Sequence, residues 1–309
     1  MTFTWSKNTE EDELLHAPLP CASATESEPL QLRVQILPFC RALMERTSTS
    51  FRSMSSALLT IVMLLIFASA PAAAGDDFAN IEWTDSHASF YGGNNDSAIT
   101  GGACGYGSLQ EKGYGIETAA LSSTLFNNGL ICGACFEIKC RMEDTRWCYS
   151  NAGSIKVTAT NLCPVNSAKS ADDGGWCNPP RTHFALPVPM FTRLAQYAGG
   201  IIPIQYRRVA CFKSGGIRFL VNGNPWFNLV LVYNVAGGGN VMNMQMRGIE
   251  TTFLTMRRNW GQNWELQQKL QGQSLSFRVT LGNGRVLLAS NVAPTNWQFG
   301  QTFEDANNF

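Results

Sequence analysis

The sequence predicts a mainly β protein in two parts, a barrel-like first part and a compact sandwich behind it. Three observations carry this. Short segments alternate apolar and polar side chains with a period of two, glycine is dense between them, and hairpin-turn pairs punctuate the final third. In the first part, Ala134-Cys135-Phe136-Glu137-Ile138-Lys139-Cys140 and Ser154-Ile155-Lys156-Val157-Thr158-Ala159-Thr160 read as strands, and residues 202–211 as a closing strand. Phe191, Leu194 and Ala195 fall at helical spacing, so residues 189–197 are expected to form a short helix that Gly199-Gly200 stops. Glycine-rich stretches between these elements fit loops packed on a barrel better than long helices.

Lys213-Ser214-Gly215-Gly216 reads as a connector. Beyond it the expected strands are regular and short, at 217–221, 226–235, 241–246, 275–280 and 286–290, with turn signals at Asn222-Gly223 and Asn283-Gly284. Strands at this spacing suit a β-sandwich of about 95 residues.

Eight of the ten cysteines lie between Cys104 and Cys211. An even number confined to one segment points to disulfides and an oxidising compartment. The competing reading is zinc, because Cys132-x-x-Cys135 has the spacing of half a metal site. No second Cys-x-x-Cys recurs, and a secretory signal lies upstream. That signal is residues 54–74: an apolar run after Arg52, too short to span a membrane comfortably, then Pro71-Ala72-Ala73-Ala74 as a cleavage pattern. Residues 1–53, which carry Cys21 and Cys40, show no periodicity and read as an unstructured extension; translation from Met54 or Met44 would remove all or most of it. A signal-anchored protein with a short cytoplasmic tail is the alternative. Lys plus Arg equals Asp plus Glu at 23 each, and no basic block appears, so nucleic acid and anionic membranes are poor partners.

Several motifs resemble those of plant alpha-expansins. They include Phe90-Tyr91-Gly92-Gly93, Gly102-Ala103-Cys104-Gly105-Tyr106-Gly107, Gly174-Gly175-Trp176-Cys177-Asn178-Pro179-Pro180, Phe227-Asn228-Leu229-Val230-Leu231 and Arg258-Asn259-Trp260-Gly261-Gln262-Asn263-Trp264. The resemblance runs in order from about Phe78 to the end. It implies a six-stranded double-psi β-barrel, related to family-45 endoglucanases, at 76–211. A linker at 212–216 and an immunoglobulin-like, cellulose-binding β-sandwich at 217–309 would follow. It also implies disulfides Cys104–Cys132, Cys135–Cys211, Cys140–Cys148 and Cys163–Cys177, a connectivity that spacing alone leaves open among about 105 pairings.

Function follows from the same resemblance: a secreted plant cell-wall protein, a monomer without cofactor or metal. It would loosen walls by disrupting contacts of cellulose with matrix glycans such as xyloglucan, without sustained hydrolysis. Glycoside hydrolysis generally needs two carboxylates across the scissile bond. The family keeps one, in a His-Phe-Asp motif, and here that motif reads His183-Phe184-Ala185. Ala185 cannot handle a proton, so a protein that only binds is the alternative, and an endoglucanase is a more distant one. Asp172-Asp173 is the nearest substitute acid, read mainly as two solvated loop residues. Ser89 stands where the family has Thr, and Asn161 where some bacterial relatives have a carboxylate.

Candidate groove residues are Ser89, Tyr91, Tyr106, Asn161 and His183, with His183 chiefly supporting the groove wall. Tyr91 and Tyr106 are chosen because sugars stack their CH faces on aromatic rings, against ordinary edge packing as the bland alternative. In the second part Trp226, Phe227 and Trp260 map to an aromatic platform. Adjacent Trp226 and Phe227 would point to opposite faces of a regular strand, so either the strand start is irregular or only one belongs to the platform. Phe253 and Trp264 are expected in the core or in secondary contacts. Asn95-Asp96-Ser97 is a glycosylation sequon.

Overall fold

A computed structural model describes residue 78, residues 81–93 and residues 101–309. The expected extension, the signal segment, Cys21, Cys40 and Asn95 lie outside the described residues.

Six strands close into a barrel: β1 (Thr84–Tyr91), β2 (Thr118–Leu121), β3 (Cys135–Cys140), β4 (Ser154–Leu162), β5 (His183–Pro187) and β6 (Ile201–Val209), in the ring order β1-β5-β2-β4-β3-β6. The β1–β5 and β2–β4 pairs are parallel and the rest antiparallel. Alternation sets the two faces of the wall. Ala88, Ala119, Leu121, Phe184 and Leu186 enter the barrel core, so Ser89, Ala120, His183 and Ala185 face the other way. Helix is scarce among the described residues. The expected helix at 189–197 is a single turn, α2 (Val188–Phe191), followed by a 3₁₀ turn at Tyr197–Gly199; a comparable turn, α1 (Ser123–Phe126), follows β2. Phe191, Leu194 and Ala195 are all buried in the barrel core, so the apolar spacing is real although the helix does not continue through it.

Four disulfides tie this half together: Cys104–Cys132, Cys135–Cys211, Cys140–Cys148 and Cys163–Cys177. The Cys135–Cys211 bond spans 76 residues and removes the most chain entropy from the unfolded state, roughly 4–5 kcal/mol on the loop-closure model.

Nine strands follow, β7 (Arg218–Asn224), β8 (Phe227–Tyr233), β9 (Val241–Gly248), β10 (Leu254–Thr255), β11 (Arg257–Trp260), β12 (Asn263–Leu266), β13 (Leu275–Leu281), β14 (Val286–Ala293) and β15 (Gln301–Glu304). They form a sheet of order β10-β9-β13-β14 and a sheet of order β11-β12-β8-β7-β15. The two sheets share one apolar core. Phe219 of β7 stacks on Phe277 of β13 with centroids 4.2 Å apart. One expected turn moves. Asn224 pairs with Phe227, so Pro225 and Trp226 make the hairpin turn, and Asn222-Gly223 lies within the strand. The strand pattern runs past the Asn-Gly signal because Gly223 pairs closely with Asn228; a Cβ there would come within 1.9 Å of the Phe227 carbonyl oxygen.

Alternation along β8 links the halves. Val230 and Val232 belong to the sandwich core, whereas Leu231 and Tyr233 belong to the barrel core. The outer face of the five-stranded sheet is therefore the face that packs on the barrel. Backbone pairing between Cys211 and Gly237 and the Gln262 side chain reinforce the junction. Gln262 Nε2 donates to the Cys132 carbonyl at 2.7 Å, and its backbone N–H to the Cys104 carbonyl at 2.9 Å.

Candidate functional site

Strand register assembles a row across the outer wall of the barrel. Ser89 pairs with Ala185, Ala185 with Ala120, and Ala120 with Asn161. The row presents a hydroxyl, two methyl groups and an amide, and no carboxylate.

His183 supports the row from beneath. It is fully buried, and its Nε2 lies 2.7 Å from Ser89 Oγ. Ser122 holds its backbone from both sides, Oγ accepting from the His183 N–H at 3.1 Å and the Ser122 N–H donating to the His183 carbonyl at 3.0 Å. Burial, helped by the positive charges of His87 and Arg181, holds the imidazole down to about 3, so the ring is neutral near neutral pH. Its Nδ1 is buried without a protein partner. A bare acceptor nitrogen is tolerated in that setting better than an orphaned N–H. The neutral ring therefore carries its proton on Nε2 and donates to Ser89 Oγ, which leaves the Ser89 hydroxyl proton for the groove. His183 acts through Ser89 and does not reach the surface.

Asn161 secures the rim. Its Oδ1 accepts from the backbone N–H groups of Ala103 and Leu162, each at 2.8 Å. The Ala103 bond fixes the loop at 101–107, where Gly102 approaches so closely that a Cβ would stand 2.8 Å from the Thr160 carbonyl oxygen. Farther along this loop, a Cβ on Gly105 would lie 3.1 Å from the Trp260 ring and 2.1 Å from Asn263 Nδ2. Glycine at 105 thus lets the groove rim touch the aromatic ring of the second half.

Tyr91 ends β1 half-buried, and burial raises its phenol above the usual range. Tyr106 is a correction to the expected groove. It is 2% exposed, its ring 4.7 Å from that of Tyr114, and its hydroxyl fills the space that a Cβ on Gly133 would take. The loop turns this ring inward to seal the junction, and no sugar can stack on it. Asp172 is engaged by Arg181.

On the second half, Trp226 is 69% exposed and Trp260 49%, while Trp264 is in the core. Trp226 sits in the turn, outside the strand alternation. Phe227 shares the outer face of β8 with Leu229, Leu231 and Tyr233, so the face that packs on the barrel runs out toward Phe227. Trp226 is flanked by Lys269, whose Nζ is 5.6 Å from the ring centroid. Gly105 and Gln262, which join groove to platform, escaped the sequence reading; the glycine density of 101–107 was the available signal.

The comparisons with known proteins agree with this architecture. A model of the expansin C-terminal domain matches residues 217–294, and one described as lytic transglycolase (DPBB_1) matches residues 118–206. The chain is 49% identical over 227 residues to Expansin-A23 of Arabidopsis thaliana, covering 74% of this chain and 81% of the relative. It is 46% identical over 249 residues to Expansin-A13 of Oryza sativa subsp. japonica, covering 80% and 95%. In structure it is similar to the apo expansin of Clavibacter michiganensis, with a TM-score of 0.55 and 18% identity over 74% of this chain and 98% of that one. A mutant of that protein in complex with cellohexaose matches with a TM-score of 0.54 and 17% identity, at the same coverage. With a closed barrel, a sandwich seated on it and near-half identity to plant relatives over most of its length, this chain belongs to the expansin family, in its alpha branch.

Proposed function

We propose that this chain is secreted to the plant cell wall and loosens it without cutting glycan bonds. It would lay cellulose and matrix glycans such as xyloglucan along Trp226, Phe227 and Trp260 and continue them over the Gly105 loop into the Ser89–Ala185–Asn161 row. One observation carries the reading: the 101–107 loop joins the row at Asn161 to the exposed ring of Trp260, and the row contains no carboxylate. Flat rings suit a flat glucan chain because they cover its CH faces without requiring buried polar partners. Hydrolysis would need an acid and a base or nucleophile across the bond, and Ser89, Ala185, Ala120 and Asn161 supply neither. The complex of the Clavibacter protein with cellohexaose and the expansin names of the plant relatives support a glucan as the ligand. Four disulfides suit an oxidising compartment.

The methyl of Ala185 favours a second reading, a wall-binding protein without loosening activity. Extension of heat-inactivated wall strips under constant load, with sugar release followed in parallel, separates the two. Creep without soluble sugar is the expected result. Binding without creep, with creep gained in Ala185→Asp, would establish the second reading, and sustained sugar release would overturn both.

A further inference from the structure

A pocket of about 420 Å³ opens beside the junction of the two halves, at the connector, and shares no lining residue with the groove row. Its lining includes Lys156, Thr158, Phe212, Lys213 and Glu117. Lys213 is largely withdrawn from solvent. Its Nζ donates to Thr158 Oγ1 at 3.1 Å and stands 4.5 Å over the Tyr114 ring. Burial holds the ammonium down to about 8 against the pull of Glu117.

The charges of the pocket do not balance. Glu117 is engaged by Arg193 at 3.3 Å, and Arg218, which also lines the pocket, is engaged by Glu304 at 3.1 Å. Lys156 and Lys213 have no carboxylate in ion-pair contact among the described residues. At the rim Phe212 is 81% exposed, with Lys156 Nζ 5.2 Å from its ring centroid. A half-buried ammonium whose nearest carboxylate, Glu117, is shared with Arg193 is costly to keep, and an anion that reaches it gains a charge-assisted hydrogen bond. An exposed ring beside two cations further selects a ligand with a flat apolar face next to its negative group. A pyranose carrying a carboxylate has both, and the volume lies within the usual range for small-ligand sites.

We propose that this pocket binds a uronic-acid residue of an acidic polysaccharide, its carboxylate between Lys213 and Lys156 and its pyranose face on Phe212. The inference stands on the pocket alone and holds whether or not the chain loosens walls. Titration calorimetry of the purified protein with trigalacturonic acid tests it, with the fully methyl-esterified trimer, cellotriose and free acetate as comparison ligands.

Trigalacturonate is expected to bind with a millimolar or lower Kd, and the ester and cellotriose more weakly. Lys213→Met should weaken the acid about ten- to a hundredfold. Because Lys213→Met removes a packed side chain, exposed Lys156→Met and Phe212→Ala must also weaken binding, while Arg278→Met, exposed on β13 of the four-stranded sheet, leaves it unchanged. The proposal is overturned by equal binding of acid and ester, by acetate binding as tightly as the trimer, by no binding at millimolar acid, or by the Lys156 and Phe212 variants binding like the parent.

Discussion

Four disulfides cross the barrel between Cys104 and Cys211, whereas the sandwich from Ile217 onward has no cysteine and buries Phe219, Phe277, Trp264, Trp297 and three methionines in one core. The barrel adds its disulfides to an apolar core of its own, in which Phe136, Phe184 and Phe191 pack among small residues such as Ala88, Ala119, Ala134 and Ala159. Its wall also buries polar atoms without protein partners, including His183 Nδ1 and Thr160 Oγ1. The sandwich satisfies two buried amides on backbone carbonyls, Asn228 on Leu266 and Gln268 and Asn234 on Ser214 and Gly216, and leaves Asn263 Nδ2 and Arg247 Nε without protein partners. Covalent ties in the barrel add to apolar burial, and the barrel can carry a polar row on its wall. The sandwich is held by its core and can leave aromatic rings on the surface.

The comparison breaks most directly at Cys135–Cys211. Replacing both cysteines by serine should lower barrel stability by about 4–5 kcal/mol, and calorimetry should show the sandwich transition moving far less. One merged transition shifting as a unit would mean that the junction, with Gln262 and the Cys211–Gly237 pairing, couples the halves too tightly for separate accounts.

The two surfaces should also differ in how they bind. Trp226→Ala together with Trp260→Ala is expected to weaken adsorption to crystalline cellulose about thirtyfold, the ~2 kcal/mol scale of exposed aromatic anchors. Ser89→Ala should change adsorption less than about twofold, because one hydroxyl at a wet surface contributes little. Equal losses in a depletion isotherm would move the anchoring role to the groove.

Acid separates the halves by the pH range in which each loses stability. Burial depresses the His183 pKa to about 3, below its unfolded value of about 6.5. Between these values the folded state binds fewer protons than the unfolded state. The stability associated with His183 is therefore complete above about 6.5 and is lost as pH falls. From about pH 7 to about pH 4.5 the barrel should lose roughly 2–3 kcal/mol. None of the three histidines lies in the sandwich, and its depressed carboxylates Glu265 and Glu304 lose their contribution only at lower pH. Urea midpoints against pH should slope for the parent and flatten for His183→Gln; an unchanged slope would place the acid-sensitive group elsewhere.

The fold was legible in the sequence because its signals are local and repeated. Alternation marked β3, β4 and β6, and turn chemistry at Asn283-Gly284 marked the β13–β14 hairpin. β2, four residues of Thr118–Leu121, gives no pattern because all four side chains are buried. The strands β10 to β12 and β15 are too short for a period. The site was less legible for a different reason. Tyr106 and Tyr91 both sit beside glycines, but only packing against Tyr114 and Gly133 turns Tyr106 inward. The contact of Gly105 with Trp260 joins positions far apart in sequence, and no local rule reports it.

The smallest effect, and the one that tests the row itself, belongs to Ala185→Asp. Ala185 is 6% exposed between Ser89 and Ala120, so the new carboxyl enters a desolvated position. Desolvation raises its pKa above the unfolded value, and the Ser89 hydroxyl opposes the rise by donating to the ionised form. If desolvation wins, the variant loses about 1–2 kcal/mol near neutral pH. A group with a raised folded pKa costs nothing below the unfolded value of about 4 and destabilises as pH climbs past it. This slope is opposite to that of His183, so the variant's stability curve should be flatter than the parent's over the same acid range. Adding Ser89→Ala removes the donor and should raise the carboxyl pKa further, readable from the carbonyl stretch of the protonated acid. If instead the carboxyl titrates at its ordinary value with Ser89 intact or absent, the Ser89 proton does not face the row, and the Nε2–H assignment of His183 fails with it.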